Sequence, residues 1–280
     1  MQQKQESAQD LIWLLLRIGV AGCFIGHGFW GILTKAGWLP FFQVFFIGDS
    51  VAYNLMPFIG TFDIVVGLIC LLYPNRAVII WAVFWTIFTA LLRPSAGMGM
   101  SEFFERAGNF GIPIAMLLIT GLPKSFPRLF TKVNFKKTAD HSTFVRLEWL
   151  MRLTIFSLLV GHGGLAIFSN SPLLHKHLDQ LGLISSGNNL MIFGLVEIAF
   201  GFVALIWPRI PGLMVFILVF KLATELMHPI AGRGIDVLET FERMGDYIAP
   251  LVLFTIYRFN LSGQGSLNSK SVDKIPVQST

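Results

Sequence analysis

A ten-residue segment, FERAGNFGIP at 104–113, returns as FERMGDYIAP at 241–250. Shared charges, glycine and proline in one register mark an internal duplication, and further pairs extend it. Arg17 and, ten residues on, His27-Gly28 correspond to Arg152 and His162-Gly163. Asp63, then Gly67 and Pro74, correspond to Glu197, Gly201 and Pro208; Arg93-Pro94 and Gly97 correspond to His228-Pro229 and Gly232. Any fold for this chain must therefore be built from two copies of one unit.

The polar motifs are separated by long apolar runs. Only 13% of the 280 residues are charged and 54% are hydrophobic, against about 25% charged in a soluble domain. That is too little charge to cover a water-facing surface. Apolar runs at 11–33, 55–73, 77–92, a region ending near 122, and then 147–168, 190–207, 211–227 and a region ending near 257 fit a bilayer at about 20 residues per crossing. The expected fold is all-α, a polytopic membrane protein of about eight transmembrane helices arranged as two tandem parallel four-helix repeats. Residues 1–10 form an N-terminal segment, 11–122 the first repeat, 123–146 a basic linker, 147–258 the second repeat and 259–280 a disordered tail. An even number of crossings per unit points both copies the same way, related by a pseudo-two-fold along the membrane normal. The first run is too long for a signal-peptide core and lacks a small-residue cleavage site, so it is kept as a mature helix. Cys23 and Cys70 lie at different depths of their runs, which disfavours a disulfide.

Orientation follows from the loops. Twelve lysines and arginines fall on the side of the N-terminus and six on the other, which places both termini and the linker in the cytoplasm and the FER segments outside. The net charge of +5 is spread over such loops and does not indicate nucleic acid. The expected location is a bacterial inner membrane, with the lipid bilayer as the first partner and a redox partner subunit or a homo-oligomer as further ones.

Ionisable groups inside a membrane are costly and point to function. In the first half these are His27, Asp63, Arg93, Glu105, Arg106 and Asn109, expected to form an outward-facing pocket. The counterpart is His162, Glu197, His228, Glu242, Arg243 and Asp246. Within these sets His27, Asp63, Glu105, His162, Glu197 and Glu242 are the candidate acid, base and proton-relay groups, and Arg93, Arg106, Asn109, His228, Arg243 and Asp246 the binding groups. Phe29, Trp30, Phe103 and Phe104 are candidates for apolar walls. Glu102 to Arg106, and Glu239 to Arg243, have the spacing of helix-surface pairs, the bland alternative for the FER segments. Lys221 and Glu225 occur only in the second half, which reads as the altered copy.

A unit that opens with Arg, places His-Gly ten residues later and follows with an acidic residue and Gly at four resembles the DoxX-like membrane proteins. That group includes the small membrane subunit of thiosulfate:quinone oxidoreductase and, more distantly, a family of membrane cargo receptors. Members commonly carry a lysine soon after the His-Gly, where this chain has Gly31 and Ala166. The resemblance implies four-helix units and, in some members, redox work with a quinone.

Two classes of function follow. One is a redox-linked protein, possessing no flavin, iron–sulfur or nicotinamide motif, that binds a quinone or similar lipid-soluble carrier, as a quinone-linked oxidoreductase subunit would. His27 or His162 would donate to its carbonyls and the carboxylates would relay protons. A haem held by His27 and His162 is disfavoured, because a symmetric pair can lie far apart, and no metal site is expected. The alternative is a proton-coupled transporter or channel-like protein, or a non-enzymatic membrane subunit or cargo-binding protein.

Overall fold

The computed structural model describes residues 2–123, 125–133, 135, 140–169, 172–180, 182 and 187–263. The expected tail from 264 onward and part of the linker lie outside them. The described residues form twelve α-helices and no strand: α1 Gln2–Ile32, α2 Leu39–Gln43, α3 Asp49–Leu72, α4 Arg76–Ser95, α5 Met100–Glu105, α6 Ala107–Thr120, α7 His141–Phe168, α8 Pro172–Gln180, α9 Gly187–Ile206, α10 Leu213–Ala231, α11 Val237–Glu242 and α12 Met244–Arg258. Six of them, α1, α3, α4, α7, α9 and α10, are long and apolar enough to cross a membrane. Large apolar side chains such as Phe58, Leu72, Val219 and Ile230 are exposed on their outer faces, consistent with an integral membrane protein in contact with lipid.

The fourth element of each repeat departs from the expected continuous span. It is broken in two, α5 then α6, and α11 then α12. Helix α6 has 14 residues and α12 has 15, about 21 and 22 Å at 1.5 Å per residue, short of the roughly 30 Å hydrocarbon layer. The breaks fall at Arg106 (φ −83°, ψ 11°) and Arg243 (φ −93°, ψ 22°), in the sparsely populated bridge region of backbone space. Asn109 N–H bonds Arg106 O, and Asp246 N–H bonds Arg243 O, both at 3.0 Å, so one tight turn replaces a helical turn in each copy. The turn aims both guanidinium groups inward.

Glycine sets how closely the helices cross. A Cβ placed on Gly28 would lie 2.5 Å from the Gly60 carbonyl oxygen, and one on Gly163 would lie 2.5 Å from that of Gly194. Helices α1 and α3, and likewise α7 and α9, thus meet backbone to backbone at matching points, the small-residue packing common between membrane helices. The two repeats are also interlocked. Helix α1 packs on α11 and α12 of the second half, and α7 packs on α5 and α6 of the first. Gly26 sits against the backbone of Glu242, Gly161 against that of Glu105, and Gly108 against Gly245. One continuous apolar core, with Ile12, Leu16, Met116, Met151, Ile155 and Val252 at its centre, therefore draws on both halves.

Outside the long apolar stretches, Asp140 caps α7. Its carboxylate accepts from the Thr143 hydroxyl at 2.6 Å and the Thr143 N–H at 2.8 Å, and these bonds hold its pKa down to about 2. Because the folded value lies below the ordinary one, the cap contributes fully at neutral pH and is lost as pH falls below the usual aspartate range through about 2. Asp140→Asn, which can cap without titrating, is expected to remove that part of the acid sensitivity of helicity, followed by circular dichroism. At the helix crossings, Gly28→Val or Gly163→Val is expected to cost about 1–3 kcal/mol by overpacking. Gly37→Ala, in open space, is expected to leave thermal unfolding in detergent unchanged.

Candidate functional site

Each repeat brings its histidine against its own helix-2 carboxylate. His27 Nδ1 on α1 lies 2.8 Å from Asp63 Oδ2 on α3, and His162 Nδ1 on α7 lies 2.7 Å from Glu197 Oε2 on α9. Both carboxylates are fully buried. Such a carboxylate accepts from Nδ1–H and fixes the tautomer, which leaves Nε2 for other work. Trp38 stacks on the His27 ring with centroids 4.4 Å apart.

Between the histidine pairs, the two FER segments exchange partners. Arg106 Nη1 donates to Glu242 Oε1 at 2.8 Å, and Arg243 Nε and Nη2 both reach Glu105 Oε1 at 2.9 Å. Arg106 Nε lies 3.0 Å from Glu105 Oε2 but is poorly aligned, an electrostatic contact rather than a hydrogen bond. Sequence reasoning grouped Glu105 with His27 and Glu242 with His162. The interlocking of the halves reverses this: Glu242 faces the first half's polar groups, and Glu105 the second's. Of the expected surface pairs, Glu239 with Arg243 is present at 3.9 Å and Glu102 with Arg106 is not. Glu102 bonds Arg93 at 3.1 Å, and Glu239 also pairs with Lys35. The bend at Arg106 turns its side chain away from Glu102.

Two cavities flank this ring. The first, about 240 Å³, belongs to the first half. Its polar end carries His27, Arg93, Arg106, Asn109 and Glu242, and its walls are aromatic. Trp38, Phe41, Phe42 and Phe45 come from the segment joining α1 to α3, and Trp85 and Phe88 from α4. The expected wall residues lie elsewhere: Phe29 is exposed, Trp30 packs in a cluster with Met56, and Phe103 meets Phe104 edge to face and stacks on Phe110. The second cavity, about 360 Å³, is polar and is lined by Glu105, His162, Glu225, His228 and Arg243 among others. Arg93 and Arg106 line both cavities. Asp63 and Glu197 line neither and act through their histidines.

The halves differ most where the first cavity lies. In the register set on this helix by Arg93-Pro94 with His228-Pro229, Thr86 corresponds to Lys221 and Ala90 to Glu225; the FER segments align Asn109 with Asp246. In the second half Lys221 Nζ bonds Glu225 Oε1 at 2.9 Å and lies 3.9 Å from Asp246 Oδ2. Glu225 Oε2 in turn accepts from Arg243 Nη1 at 3.1 Å and lies 3.2 Å from His228 Nε2. In the first half the Thr86 hydroxyl turns back to Ala82 O at 2.7 Å, and Ala90 reaches nothing polar. Charged side chains stand in one copy where small ones border the aromatic cavity in the other. The flank differs too: Phe193 of α9 packs on Phe220 of α10 at 5.9 Å, where the first half has Ile59 and Trp85 lining the cavity.

Thr86, Ala90, Trp85 and the Trp38–Phe45 aromatics escaped a reading that searched for ionisable groups. Aligning the repeats over the whole third helix would have exposed Thr86 and Ala90. Among the described residues no group of His, Cys, Asp and Glu is placed to hold a metal, and both cysteines are free and buried. Comparison with known proteins gives no match to a family model, a curated protein or a solved structure.

Breaking one member of a buried ion pair strands the other charge. Arg106→Gln is therefore expected to cost roughly 3–5 kcal/mol. The double variant Arg106→Gln/Glu242→Gln should cost less than that single change, as measured by denaturant unfolding in detergent.

Proposed function

We propose that the chain is an integral membrane protein whose first-half cavity binds a flat, lipid-soluble carrier of the quinone class. The observation that carries this reading is the pairing of aromatic walls with unused polar atoms at one end. His27 is bonded to Asp63 through Nδ1 and lines the cavity, and Asn109 Oδ1 and Trp85 Nε1 are buried without a hydrogen-bond partner among the described residues. An aromatic slot ending in hydrogen-bonding groups suits a planar ring with carbonyl oxygens. His27 and the Trp85 indole N–H would donate to those carbonyls, with Asp63 holding the imidazole in place. Leu55 and Ile59 of α3 face Trp85 and Phe88 of α4 across the cavity, and the outer sides of these helices are apolar, which supports entry from the bilayer.

In this reading the eight apolar segments cross a bacterial inner membrane with both termini in the cytoplasm, and the broken fourth elements complete their crossings together with α5 and α11. The DoxX-like resemblance belongs to the same proposal. The chain's own residues bind and orient the carrier and supply protons, and electrons come from a partner subunit. A proton-coupled transporter is the second reading, favoured by the polar cavity that meets the first at Arg93 and Arg106.

The test is titration of the protein in lipid nanodiscs with decylubiquinone, followed through tryptophan emission, because Trp38 and Trp85 line the cavity. Saturable quenching is expected. Thr86→Lys/Ala90→Glu, which installs the second half's residues, should abolish it while the protein stays folded, and His27→Phe should weaken binding about tenfold, near 1.4 kcal/mol. Quenching that is absent, or indifferent to these changes, would overturn the quinone reading; carrier-independent proton flux in liposomes would favour transport.

A further inference from the structure

The second half carries three buried charges, Lys221, Glu225 and Asp246, at positions where the first half has Thr86, Ala90 and Asn109. The same scaffold therefore folds without them. Burying charges in such a core costs several kcal/mol per ion before pairing returns any of it, so their presence calls for a role other than holding helices together.

Counting the buried charges indicates what that role is. Asp63, Glu105, Glu197, Glu225, Glu242 and Asp246 are each no more than 3% exposed. The permanent cations among them are three, Lys221, Arg106 and Arg243. At the rim Arg93 pairs with Glu102 and Lys35 with Glu239, so neither is left over for the core. Three carboxylates are then without a counter-charge unless protons are bound. Charge separation in a low-dielectric core is far more costly than in water. The groups able to hold the balancing protons are the carboxyls themselves and His27, His162 and His228, each beside a carboxylate.

A second observation marks where a proton can sit. Asp246 Oδ2 and Asp63 Oδ1 are buried carboxyl oxygens without a hydrogen-bond donor. Asp246 on α12 is faced by Lys221 and Glu225 from α10, by Glu105 from α5, by Cys23 from α1 and by Arg243 at the α11–α12 break. His162 from α7 and Glu197 from α9 act on Glu225 and Lys221 respectively. The contacts run from Glu242 through Arg106, Glu105 and Arg243 to Glu225 and Lys221, and Glu105, Glu225, His162 and His228 open onto the polar cavity.

We propose that this network, together with the His27–Asp63 and His162–Glu197 pairs beside it, is a proton-binding site that holds about three exchangeable protons, set by its excess of carboxylates over permanent cations, and exchanges them through the polar cavity. It goes beyond the carrier reading and does not depend on it. The aromatic cavity touches the network at Arg106 and Glu242, so whatever binds there sits next to a proton store.

The experiment counts protons without any carrier. Detergent-held protein is unfolded in sodium dodecyl sulfate at constant pH 7 in a pH-stat, and the protons released per chain are compared among variants that remain monodisperse and helical. No histidine is changed, so the unfolded chains differ only in groups whose ionisation at pH 7 is complete. Asp246→Asn should release one proton fewer than the parent and Lys221→Met one more. Lys221→Thr/Glu225→Ala, which copies the first half and removes one charge of each sign, should match the parent. Should the single variants fail to fold, the triple Lys221→Thr/Glu225→Ala/Asp246→Asn should release one fewer. Equal release from the parent and the folded charge-changing variants would overturn the proposal. Loss of carrier binding with these counts intact would count against the quinone reading alone.

Discussion

Everything near the candidate site depends on the reciprocal pairing of Arg106 with Glu242 and Arg243 with Glu105. Each arginine stands at a break in its own helix and finds its counter-charge in the opposite repeat. An arginine turned into an apolar core without such a partner would be intolerable; with it, the break becomes the point where the halves lock. The glycines at 26, 108, 161 and 245 let the backbones approach closely enough for the exchange. The two cavities are what remains on either side of the lock, which is why Arg93 and Arg106 border both.

The duplication supplies an internal control. Two copies share helix order, histidine–carboxylate pairs and breaks, so differences between them report on use rather than on folding. A threonine and an alanine in α4 border a cavity walled by aromatic rings, while a lysine and a glutamate at the same places in α10 join a charged cluster beside a polar cavity. The first copy has an aromatic container and the second a charged one, with the scaffold held constant.

Much of this was legible in the sequence. The repeat, the pairing of each histidine's depth with an acidic residue on the next long helix, and the apolar runs all follow from residue order, and six helices have the length that those runs require. The break in the fourth element was not legible because a Glu-to-Arg spacing of four looks like a helix face, whereas the local backbone turns at Arg106 and Arg243. That turn is stabilised by a partner more than a hundred residues away, which no local pattern reveals. The exchange of Glu105 and Glu242 was hidden for the same reason. Trp38, Phe41, Phe42 and Phe45 escaped because the segment between α1 and α3 reads as a connection, and the stacking of Trp38 on His27 and of Phe45 on Phe88 exists only in three dimensions.

The crossed pairing also has the symmetry of a contact between two identical subunits, in which residue i of one meets residue j of the other and j meets i. A single unit bearing the FER segment would present both halves of that contact to its own twin. Joined in one chain, the two faces need not stay alike, because each lock position is filled by a separately encoded residue. The linker thus converts an obligatory symmetry into a free choice, and the difference between Ala90 and Glu225 is one such choice: a change that would have put charge into both cavities of a symmetric pair here puts it into only one.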